Sequence, residues 1–530
     1  MMNEKLSTFL AEQNQRFEAV YKPVVLQNWM AATTGEKQWE ELHEKSLTAY
    51  HRNFSEKEDF AKVIQFRKET YLTRLEQRQL DDLYSKMLPN QLDEKLVQET
   101  VALEKELSSK FNTFRPLLHG KKCTNNKILN ILKKSEDSEV RKEAWLSSKQ
   151  VGVEIEEKLL QLVHIRNENA RALGYSDFYQ MNLDVQDLKD ADVFLIFERL
   201  KKVSDEPFRK VKKEIDNELA QKMNIDVKDL RPWHYADPFF QEAPAKQTID
   251  IDKHFTGKNI EEVASATFEA VGLNIDDILK ESDLYPRENK NPFGFCTNID
   301  RQGDVRILVN IDESVFWTTA LLHELGHASY FKNIDKGLPF LLRSHSHSIT
   351  TEAIALFFGR MTKMSQWQSR FLGVEQKEQD TAMNQLLQRQ LLVFARWVIT
   401  FATFERELYQ NPNQDLNGLW WKLAEEIQFI NPPERTDYPD WASKMHFSLA
   451  PVTYQDYLLG ELVASQLHHH IVTTISSDIF TIKVGEYFKD HIFKDGASFQ
   501  WNELIENATG TGLDPTHFVN QFCVGWNIKS

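Results

Sequence analysis

The chain has 530 residues, of which 41% are hydrophobic and 27% charged, and its formal net charge is −15. That balance excludes a disordered polymer and, in the absence of a long basic run, argues against a nucleic-acid or anionic-membrane surface. Three cysteines (Cys123, Cys296, Cys523) are too few and too scattered for a disulfide framework or a thiolate metal site, and no run of about 18 apolar residues is present to span a membrane.

The N-terminal text, MMNEKLSTFLAEQNQRFEAVYK, mixes polar and charged residues and lacks the apolar core of a signal peptide. As written, the chain reads as cytoplasmic; loss of a signal peptide upstream would make it periplasmic or secreted. Glycine (19) and proline (16) are scarce, and residues 94–111, 138–173 and 382–410 carry helical periodicity. The turn-rich segment 231–252 reads as a joint between an N-terminal helical lobe, 1–235, and a second lobe, 236–530. Strand-like text is rare, the best case being DVRILVNI at 304–311. The expected fold is mostly α with one small β-sheet.

The next segment, DESVFWTTALLHELGHASYFKN at 312–333, predicts a helix capped by Asp312. It contains His323-Glu324-Leu325-Gly326-His327. Residues four apart project from one helix face, so both imidazoles can bind one zinc ion, while Glu324 points beside it and can accept a proton from water. A catalytic zinc needs a third protein ligand. Glu352, in the first turn of a second helical stretch at 350–361, supplies it. His345 and His347 compete for that role but lie in a Ser/His-rich loop, where exposure is the default. His468, His469 and His470 are consecutive, so they splay apart on a helix and read as surface residues.

Several segments together carry a resemblance. GDVRILVNIDESVFWTTALLHELGH, LPFLLRSHSHSITTEAIALFFG, LWWKLAEEIQFINPPERTDYPDWASKMHF and YQDYLLGELVASQLHHH are similar to the strand, metal helices, Trp-Trp and Lys-x-His segment and two-tyrosine helix of the angiotensin-converting-enzyme (peptidyl-dipeptidase A) family, which are gluzincin metallopeptidases. The resemblance covers roughly residues 15–525 and is strongest from 303 to 467. It implies that His323, His327 and Glu352 hold one Zn²⁺ per chain, that Glu324 is general base and later acid, and that Tyr457 stabilises the oxyanion. It further implies that His446 hydrogen-bonds bound peptide and that Lys444 with Tyr454 grips the substrate's C-terminal carboxylate. The implied fold is two-lobed with a deep central cleft, the implied partner an oligopeptide, and the implied activity release of C-terminal dipeptides.

The chain departs from the family at several points. One extra residue separates His446 from Tyr454, and another separates His327 from Glu352. Phe293 or Gly294 stands where the family has a second peptide-binding histidine, and Leu356 replaces an aspartate behind the metal. Phe293 and Asn310 occupy the places of a disulfide. Asp456, Ala424 and Leu183 stand at arginines that hold activating chloride, so chloride is not expected here. Rival readings are an endo-acting oligopeptidase of the thimet or oligoendopeptidase kind, a carboxypeptidase, and a catalytically silent peptide-binding protein.

Overall fold

The computed structural model describes residues 2–92, 94–244, 251–374 and 380–523. Helices dominate it, as expected. The six used below are α1 (Met2–Thr34), α2 (Ser138–Ala172), α3 (Val315–Lys332), α4 (Ser348–Gly359), α5 (Asp380–Gln410) and α6 (Tyr454–His470). Two antiparallel two-stranded sheets are present among the described residues, where one was expected. The additional one is a minimal hairpin, β1 (Leu117–Leu118) with β2 (Lys121–Lys122), too short to show as alternation in sequence. The other pairs β3 (Phe295–Asn298) with β4 (Val305–Leu308) in the register Phe295↔Leu308 to Asn298↔Val305.

One apolar core runs from Leu107 to Phe522, and each Leu, Ile, Val or Phe buried in it contributes roughly 1.5–3 kcal/mol before entropy is charged. A smaller cluster joins α1 and the three helices that follow it in the chain to Phe340 and Leu341. Helix α1 also lies along the β3–β4 hairpin: the Tyr21 hydroxyl donates to the Asn298 carbonyl at 2.9 Å, and the Trp29 and Phe295 rings meet edge to face. The described part of the expected joint is packed, with Trp233, Tyr235 and Phe240 buried; residues 245–250 lie outside the described residues. No described helix is long and apolar enough to cross a membrane.

Helix α3 begins at Val315, and its cap is Ser314, whose hydroxyl accepts from the Trp317 N–H; Asp312 instead accepts from the Ser314 hydroxyl. The expected Asp312 cap is therefore displaced by two residues. Helix α4 starts at Ser348, two residues earlier than the periodicity predicts, so Glu352 falls in its second turn. Two glycines let the helices approach. A Cβ on Gly326 would meet the Ala355 Cα at 2.8 Å, and one on Gly460 would meet the Glu352 Cβ at 3.1 Å. The glycine inside the His-Glu-x-x-His pattern is thus a packing requirement: backbone atoms cannot retreat as a side-chain tip can.

Candidate active site

Helices α3 and α4 bring His323, His327 and Glu352 together, their ligand atoms all within 4.8 Å of one another. His323 Nε2 lies 3.7 Å from Glu352 Oε2, and His327 Nε2 lies 3.6 Å from Oε1. Ligands about 2.0–2.2 Å from a tetrahedral ion stand roughly 3.3–3.6 Å apart, so the donor set fits zinc. Burial keeps both imidazoles neutral, His323 down at about 4 and His327 well below its ordinary value, so their lone pairs are free for a metal. Among the described residues this is the one grouping of three or more potential metal ligands. Thr351 fixes one ring: His327 Nδ1 and the Thr351 hydroxyl are 2.7 Å apart. With Nδ1–H donating to that hydroxyl, Nε2 faces the other ligands as acceptor.

Glu324 lies outside the donor set, buried between α3 and β3. Its carboxyl is pushed up to about 8, first by burial and then by the Glu352 charge, while the Cys296 backbone N–H donates to it and opposes the rise. A carboxyl poised in this range exchanges protons with water at neutral pH. A divalent cation in the donor set would offset the Glu352 charge.

A second group of side chains comes from distant segments. Lys444 is buried, donates from Nζ to Gln241 Oε1 at 2.6 Å and lies over the rings of Trp397, Tyr454 and Phe239. Burial lowers its ammonium to about 8, with Asp237 and Glu242 pulling the other way from a distance. The Tyr454 hydroxyl accepts from Trp397 Nε1 at 2.9 Å, and its ring meets those of His446 at 5.0 Å and Tyr457 at 5.6 Å. Burial, then Lys444, holds His446 at about 4. Tyr457 is the open member, 47% exposed, and the Glu352 charge reaches it.

The profile of the family described as angiotensin-converting enzyme matches residues 1–522. The chain belongs to that family. Over 304 residues, 52% of its length, it is also 21% identical to Carboxypeptidase 1 of Bacillus subtilis (strain 168), of which the match spans 58%. The chain therefore covers less than two-thirds of that relative.

Within the angiotensin-converting-enzyme family frame, the structure relocates several residues. His347 is no exposed loop residue: it is buried, caps α4 and accepts from the Ile349 N–H through Nδ1. His345 is enclosed too, held at about 3 by burial and then by His347. His468 is buried at the end of α6, although His469 is exposed, because the helix turns consecutive residues to different faces. Of the two residues at the place of the second histidine, Phe293 is 75% exposed, while Gly294 faces Glu324: a Cβ there would stand 3.6 Å from Oε1. Asn310, at a disulfide position, ties the segment after β4 by donating to the Asn291 carbonyl at 3.1 Å. At the chloride positions, Ala424 and Leu183 are buried apolar residues, and Asp456 accepts from the Ser348 hydroxyl at 2.5 Å.

Sequence reasoning missed Thr351 and Gln241. Thr351 carried no signal beyond preceding a ligand; it takes up the orienting role that Leu356 cannot play. Gln241 sits in a turn folded by Asp237, whose carboxylate accepts from the N–H groups of Phe239, Gln241 and Glu242. The Asp-Pro text marks a turn, but nothing in it names Lys444 as the partner.

Proposed function

We propose that the protein is a zinc-dependent peptidase releasing dipeptides from the C-termini of oligopeptides, built as one unit of two lobes that divide near residue 235. The observation that carries this reading is the donor set His323, His327 and Glu352 with Glu324 beside it and outside it. Zinc bound there supplies a Lewis acid that polarises a peptide carbonyl and acidifies water. Glu324 takes the proton of the attacking water and returns it to the leaving amine. Tyr457, open to the cleft, donates to the developing oxyanion without bringing a charge of its own. His446, kept neutral, hydrogen-bonds the peptide backbone.

Lys444 and Tyr454 set the register by holding the substrate's terminal carboxylate. A buried ammonium whose hydrogen-bond partner is a neutral amide gains from an incoming anion more than an exposed one does. No chloride is needed, since a buried anion finds no cation at Asp456, Ala424 or Leu183. A second reading, removal of single C-terminal residues, is favoured by the relative named Carboxypeptidase 1. Digestion of an oligopeptide read by mass spectrometry tests both. Dipeptide products that vanish with a chelator and return with zinc support the proposal; single residues support the second reading. Internal fragments, or no products, refute both.

A further inference from the structure

Between His446 and Tyr454 the chain passes through Val452, which is fully buried and has φ +55. A β-branched residue in the left-handed region is strained and persists only where its surroundings over-determine it. Three side chains do so here. The Val452 N–H donates to Glu405 Oε1 at 3.0 Å, and its carbonyl accepts from Gln186 Nε2 and from Gln455 Nε2, each at 2.8 Å. Helix α6 begins two residues later with no side-chain cap, since the Thr453 side chain makes no cap bond. The start of α6 is therefore set from outside, by α5 through Glu405 and by the residue after the Phe178–Val185 helix through Gln186.

We propose that Glu405 is a positioning residue: its carboxyl holds Val452 in the left-handed conformation that fixes where α6 starts, and so where the phenol of Tyr457 stands, the Tyr454 hydroxyl being held separately by Trp397 Nε1. It touches no reacting atom. This rests on the reading of Tyr457 as oxyanion donor.

The surroundings support it. Glu405 is fully buried on α5, and among the described residues its second oxygen has no hydrogen-bond partner. A carboxyl so placed is costly, and an apolar side chain would pack there without that cost. Facing it are the Arg166 guanidinium from α2 and the Tyr179 and Tyr409 hydroxyls. Arg166 does not pair with it. That guanidinium donates to the Tyr409 hydroxyl, to Glu104 and to the carbonyls of Phe447 and Ser448, and so pins the other end of the same loop. Burial pushes the Glu405 carboxyl up to about 8, so near neutrality it accepts the Val452 N–H as a neutral acid. An amide can do the same.

The test uses the zinc-loaded full chain and peptides with a free C-terminus. Glu405→Ala is expected to lower kcat about tenfold with KM within about twofold and zinc content unchanged, as for a lost transition-state contact. Glu405→Gln, which keeps the acceptor, should recover at least about half of the rate. In a Tyr457→Phe background Glu405→Ala should cost nothing further. An unchanged kcat with only a lower melting temperature would overturn the inference, as would an undiminished loss in the Tyr457→Phe background or a Glu405→Gln variant as slow as the alanine one. If Tyr457→Phe alone leaves kcat intact, the oxyanion reading fails and takes the inference with it. If Tyr457→Phe is slow and Glu405→Ala is not, the inference alone fails. Should Glu405→Ala not fold, Gln186→Ala, which loosens the carbonyl side, should lower kcat about threefold, again only when Tyr457 is present; no such loss refutes it.

Discussion

The proposed metal donors and the side chains proposed to grip the substrate are built in opposite ways. The donors come from two consecutive helices, α3 and α4, whose closeness depends on Gly326, and the shared face of one helix suffices to place two of the three ligands. The second group is drawn from four separate segments: the Asp237 turn, Trp397 on α5, the Lys444–His446 stretch and α6. Its buried ammonium leans on an amide and three rings. The first arrangement gathers donors for a cation, and the second leaves a cation short of an anion. Under the proposed function, chemistry and substrate register are thereby separable.

The largest effect should come from Glu324→Gln, which is expected to reduce hydrolysis at least about a thousandfold while about one zinc per chain remains, as for a base that is no ligand. His323→Ala and Glu352→Ala should lose the metal itself. Zinc analysis beside a rate assay checks this; loss of zinc from Glu324→Gln would erase the distinction between base and donor set.

Next, Lys444→Ala should lower kcat/KM by about ten- to a hundredfold on peptides with a free C-terminus. It should change little on C-amidated peptides. Equal losses on both would mean that the lysine supports packing alone, and the contrast between the two regions would lose its functional meaning.

A smaller change is expected from Thr351→Val, which removes the hydroxyl held by His327 Nδ1. Zinc affinity should fall about tenfold in chelator competition, while the preference for a free C-terminus stays as it was. A shift in that preference would show the two regions to be coupled.

The smallest effect concerns stability. The Glu405 carboxyl sits at about 8 in the folded chain against an ordinary 4.5, so between those values the folded state holds more protons than the unfolded one. Its neutral form costs nothing below the ordinary value, and stability then declines as pH rises through the window. Glu405→Gln should flatten that decline, melting a few degrees above the wild type at the alkaline end and close to it at the acidic end. Parallel melting curves against pH would place the charge elsewhere.

Sequence alone determined the helical class, the two histidines of α3 and the glutamate between them, because helical period is local and needs no knowledge of what packs against it. It also pointed to Glu352, because two helices joined by the loop after α3 can lie antiparallel and bring it opposite the histidine pair. Lys444, His446, Tyr454 and Tyr457 entered through family resemblance, and their surroundings were not legible. Only the tertiary structure decided that Thr351 holds His327, that Gln241 meets Lys444 across 203 residues, that His347 and His468 are buried, and that Glu405 clamps Val452. Those outcomes depend on which surfaces the core brings face to face. A polar side chain carries the same letter whether it ends in water or against a partner from another helix, and burial alone decides which.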